Sequence, residues 1–105
     1  MELRRFANAQ ELVSACGDFL LRYEAENNLI LGILAGLAHE PIGVYLAAVF
    51  DGTMPLQVSV MTPPHNLVLS RGDGPEALSA VAQDTLRLDP QPPGVLGQTG
   101  LVRGF

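Results

Sequence analysis

Two short stretches of this sequence hold residue types that could do chemistry. The first is Arg71-Gly72-Asp73-Gly74, followed by Pro75. It stands between an apolar run and a segment of helical periodicity. At such a junction backbone amides can hold a phosphate, and the helix dipole favours the negative charge. Asp73 and Glu76 would set two carboxylates beside that phosphate, and Pro75 has no amide proton to offer. Two glycines alone are a weak signal, and a plain structural turn is the simpler reading. The tripeptide Arg71-Gly72-Asp73 also matches an adhesion motif, which in an intracellular chain is coincidence. The second stretch is Thr62-Pro63-Pro64-His65-Asn66. His65 could serve as a general base or pocket donor with Thr62 and Asn66 around it. A lone loop histidine is otherwise structural or simply exposed. No second histidine or carboxylate stands at metal-ligand spacing, so no metal is expected.

The remaining candidates are plainer. Cys16 is the single cysteine, so neither an internal disulfide nor a multi-cysteine metal site is expected. It falls on an apolar helix face and reads as a buried, inert thiol. Glu24, Glu26 and Glu40 read as solvated charges at helix ends. No Ser/His/Asp arrangement, Walker loop or dinucleotide fingerprint is present.

Composition narrows the partners. Hydrophobic residues make up 48% of the 105, and charged residues only 16%. A typical domain carries about 25% charged residues. The shortfall predicts apolar surface covered by another domain or subunit. The formal net charge is −5, with no lysine and six scattered arginines. No basic patch is visible, so neither nucleic acid nor an anionic membrane is expected as a partner. The first six residues have no apolar run after Arg4-Arg5, which predicts no signal peptide. The longest apolar stretch, Leu29 to Ala38, is too short to span a bilayer. The expectation is one soluble, cytoplasmic domain over residues 1–105.

The elements that must position these residues follow from periodicity. Leu3 to Phe6 predicts a short strand. Asn8 is a helix N-cap with Glu11 in capping-box position. Leu12, Cys16, Phe19, Leu20 and Tyr23 then repeat at helical spacing. Gly17 in that helix predicts close packing. The polar run Glu24 to Asn28 breaks the helix, and Leu29, Ile30, Ile33, Leu34 and Leu37 form a second stripe. Gly32 and Gly36 share one face, which predicts close approach to a sheet rather than the membrane helix pairing of such spacing. His39-Glu40-Pro41 ends the second helix.

Val44 to Phe50 is apolar on both faces, as a strand covered on both sides should be. Asp51-Gly52 predicts a hairpin. Leu56, Val58 and Val60 alternate with Gln57, Ser59 and Met61, as in a half-covered strand. Leu67 to Ser70 predicts another strand. Pro75 opens a third helix whose core face is Ala77, Leu78, Val81, Ala82 and Leu86. Pro90, Pro92 and Pro93 mark a crossover to a short strand, Val95-Leu96. Residues 98–105 are expected to be disordered or partner-bound. The order β-α-α-β-β-β-α-β predicts a mixed α/β (α+β) domain with helices on the faces of a mostly antiparallel sheet. The final strand–helix–strand unit implies a parallel pair.

This order resembles the first part of the GNAT N-acetyltransferase fold. There a strand, two helices and three antiparallel strands precede a phosphate-cradling loop and a helix. Glu26-Asn27-Asn28-Leu29-Ile30-Leu31-Gly32 and Met61-Thr62-Pro63-Pro64-His65-Asn66-Leu67 resemble the N-terminal region of a group of two-half bacterial GNAT proteins. The resemblance covers roughly residues 1–96. It implies acetyl-CoA as the parent family's cofactor and Arg71, Gly72 and Gly74 as the counterparts of its coenzyme loop, Arg/Gln-x-x-Gly-x-Gly/Ala. The last small residue of that pattern is Glu76 here, so the chain alone is expected to bind no acetyl-CoA. Thr62, His65 and Asn66 would line a substrate cleft. No catalytic acid or base carries over. The resemblance thus implies the N-terminal, non-catalytic domain of a GNAT-like acyl-CoA-dependent acetyltransferase. Its partner would be a C-terminal half, or another copy of the chain through the apolar surface. Two alternatives stay open. One is a stand-alone interaction or dimerisation module, the other a minimal acetyltransferase completed by dimerising.

Overall fold

The computed structural model describes residues 2–37, 45–62, 67–72, 75–87 and 95–96. Strand β1 (Glu2–Arg5) leads into helices α1 (Ala9–Arg22) and α2 (Asn28–Leu37). Strands β2 (Tyr45–Asp51), β3 (Met54–Met61) and β4 (Leu67–Leu69) follow, then α3 (Pro75–Thr85) and β5 (Val95–Leu96). The fold is mixed α+β, in the element order that the sequence predicts.

All five strands join one sheet in the order β1-β2-β3-β4-β5. The first four pair antiparallel, and β5 lies parallel to β4. The connection between β4 and β5 therefore carries α3 across a face of the sheet. A parallel pair cannot be joined by a tight turn, so a crossover of this kind is required.

Local chemistry explains where the helices start. Asn8 is extended, and its Oδ1 accepts from the Glu11 N–H at 2.9 Å. That satisfies one of the amides a helix leaves unpaired in its first turn. Leu12, Cys16, Phe19 and Leu20 then bury one face of α1 against the sheet. α3 opens with Pro75, whose fixed φ suits the first helical position.

The two faces of β2 serve different layers. Leu46, Ala48 and Phe50 meet α1 and α2, together with Val58, Val60 and Val68. Tyr45, Ala47 and Val49 meet α3, together with Leu67, Leu69 and Val81. Six of its seven residues are buried, as the unbroken apolar run requires. The Asp51-Gly52 hairpin also forms, with Gly52 in the left-handed region at φ +62.

Five expectations are corrected. β3 is not half-covered: from Gln57 to Met61 every residue is buried, because α3 covers the face that carries Gln57, Ser59 and Met61. Leu56 does not share a face with Val58 and Val60. The register shifts between Val49 and Phe50, so Val49 pairs with Gln57 but Phe50 with Pro55. The extra residue turns Leu56 toward the α3 cluster. Gly32 and Gly36 do not lie against the sheet. Both are exposed, and a β-carbon on either would meet nothing within 4 Å. Gly17 likewise marks no close approach, since a β-carbon there would only touch Val13 of its own helix at 3.5 Å. Finally, Leu86 is no part of the core. α3 ends at Thr85, which leaves Leu86 68% exposed.

Candidate functional site

The turn after β4 is built from the sheet below it. Ser70 extends the β3–β4 ladder by one residue: its N–H donates to Val58 O at 2.9 Å. Its Oγ accepts from the Val58 N–H at 2.8 Å and donates to Arg71 O at 2.9 Å. Gln57, fully buried on β3, donates from Nε2 to Ser70 O at 2.6 Å. Its Oε1 has no hydrogen-bond partner and lies directly under Gly72. A β-carbon at Gly72 would sit 1.8 Å from that oxygen, so any larger residue must push the amide aside. Gly72 therefore answers to Gln57 from below.

Arg71 is held from three sides by the connector between α1 and α2. Its Nη1 donates to both carboxylate oxygens of Glu26, at 2.9 and 2.8 Å. Its guanidinium lies 3.9 Å from the centre of the Tyr23 ring, within cation–π range. Its backbone N–H donates to Asn27 Oδ1 at 2.8 Å. Asn27 is itself buried, and its Nδ2 donates to Leu20 O at 3.0 Å. One side-chain amide thus caps the end of α1 and fastens the turn after β4. An anion approaching Arg71 meets a guanidinium already neutralised by Glu26. The pair is about a third exposed on each side, so solvent screens it and its contribution to stability is at most ~1 kcal/mol.

The two stretches singled out in the sequence are not brought together. Ser70 pairs opposite Val58, whereas Thr62 follows Met61 at the other end of β3. Thr62 stands four residues beyond Val58, ~13 Å along the strand direction. Thr62 is half-buried. His65 and Asn66 lie outside the described residues, as do Asp73 and Gly74 of the turn, His39-Glu40-Pro41, the prolines after α3, and residues 98–105. Among the described residues, no three His, Cys, Asp or Glu side chains cluster to hold a metal.

A second polar cluster, on the α3 face, has no motif in the sequence. Asp84 on α3 accepts from Arg5 Nε and Nη2 of β1, both at 3.1 Å, and from the Tyr45 hydroxyl of β2 at 2.5 Å. The Arg5 guanidinium also stands 5.3 Å from the Tyr45 ring centre. Burial alone would raise the Asp84 pKa, but the hydrogen bonds from Arg5 and Tyr45 outweigh it and hold the carboxyl below its usual range. Burial, then the Asp84 carboxylate, pushes the Tyr45 phenol well up. Such a phenol is a poor base at neutral pH. The Ser59 hydroxyl is near enough to Tyr45 to favour its anion slightly, yet it makes no hydrogen bond of normal geometry. The cluster pins β1, β2 and the last turn of α3 together. Residues 79 apart in sequence leave no local signal of such a tie.

Cys16 is buried, as the sequence predicts, and burial pushes its thiol up to about 11, which disfavours the reactive thiolate at neutral pH. An apolar groove of ≈ 600 Å³ runs between α1 and α2, lined by Ala9, Val13, Leu31, Leu34 and Ala35 with Gln10 and Ser14. Among the described residues, no helix is long and apolar enough to cross a membrane. Compared with known protein families, with curated proteins and with solved structures, the chain gives no match in any of the three.

Proposed function

We propose that this chain is a non-catalytic αβ domain of the GNAT N-acetyltransferase kind, equivalent to the N-terminal part of that fold. Its role is to wall a substrate cleft or form an interface while acyl transfer is done elsewhere. The observation that carries this reading is the order and pairing of the elements. One strand and two helices precede three antiparallel strands, then a helix and a parallel strand. This is the sequence of elements the resemblance implies. The non-catalytic part of the reading draws on Arg71. The residue in the position of the coenzyme loop's first arginine is engaged internally by Glu26, Tyr23 and Asn27. Glu76, in the first turn of α3, adds a carboxylate where a pyrophosphate would need donors.

Calorimetric titration with acetyl-CoA, with CoA and ATP as controls, tests this. The expected result is no binding to the folded chain tighter than about 100 μM, roughly −5.5 kcal/mol. Specific binding below that value would overturn the non-catalytic reading and favour a minimal enzyme.

A second reading, an interaction or dimerisation module, is favoured by the groove between α1 and α2. Val13 beside it is 44% exposed, and Leu21 and Leu29 are more than half exposed. Sedimentation across a hundredfold range of concentration tests it. A mass that rises with concentration supports self-association, and a constant monomer mass removes it.

A further inference from the structure

We draw no further inference here: the strongest candidate, the apolar groove between α1 and α2 beside Val13 and Leu34, is an unpartnered helix face, and nothing in the structure shows what covers it.

Discussion

The two faces of the sheet are held down by different means. Under α1 and α2 the contact is almost wholly apolar: Leu12, Leu20, Ile30, Leu46, Val58 and Val60 are essentially fully buried. Under α3 the core is smaller and mixed. Gln57, Ser59 and Thr85 are buried among it, and Asp84 closes it at one edge with Tyr45 and Arg5. Apolar burial is non-directional and scales with area, so the first face depends on volume. A polar contact depends on geometry, because a buried donor or acceptor without a partner is costly. The first face should therefore respond most to truncation. The second should respond to changes of a single atom and to pH.

The largest effect is expected on the apolar side. Leu12→Ala removes a fully buried side chain from the centre of that layer and should cost ~2–5 kcal/mol, read from the urea midpoint. A cost under about 1 kcal/mol would mean that α1 packs loosely and that the contrast between faces fails.

Next comes the contact of Gly72 with Gln57. Gly72→Ala drives a methyl into the Gln57 amide and should destabilise by ~1–3 kcal/mol. Adding Gln57→Ala should recover part of that loss, a coupling that a double-mutant cycle measures. Additive effects would show that the two residues do not touch.

On the α3 face, Tyr45→Phe keeps the ring and deletes the hydroxyl that Asp84 accepts. The expected loss is ~1–2 kcal/mol. The same carboxylate sets an acid dependence. Asp84 has a depressed folded pKa, so its contribution is complete above the unfolded value near 3.8 and is lost as pH falls through the folded one. Asp84→Asn should therefore lower stability at neutral pH and flatten the acid limb of a stability-versus-pH curve. An unchanged limb would mean that the Arg5–Asp84–Tyr45 tie is not formed in solution.

The smallest effect is expected at the exposed pair between the layers. Glu26→Gln should change stability by no more than ~1 kcal/mol, and less in high salt. Asn27→Ala at the neighbouring position strands the Leu20 carbonyl and the Arg71 N–H, so it should cost clearly more than Glu26→Gln. If the two variants are equal, the connector is held by charge rather than by the buried amide.

Much of the fold is legible in the residues. Asn8 announces α1, Pro75 announces α3, and Asp51-Gly52 announces the hairpin, because caps and turns are chosen by chemistry within a few positions. The doubly apolar run of β2 likewise declares a strand buried on both sides. Less of the candidate site is legible. Arg71 and Gly72 stand out as a turn before a helix, but their partners do not. Glu26 reads as a solvated charge and Asn27 as a helix breaker. Each becomes an Arg71 ligand only because the α1–α2 connector is folded over the end of β4. Gln57 reads as a solvent-facing residue of a half-covered strand, until α3 covers it.

Legible along the chain are the elements, their order, the face of α1 that is buried and the burial of Cys16. These depend on periodicity and on neighbours within one or two turns, which a linear pattern records. The tertiary structure alone decided the outward placement of Gly32 and Gly36, the turning of Leu56, the burial of Gln57 and Ser59, and the joining of Arg5, Tyr45 and Asp84. The reason is physical. A side chain's partner across a sheet is set by register and by which helix lies above it, and neither is encoded in the residues beside it.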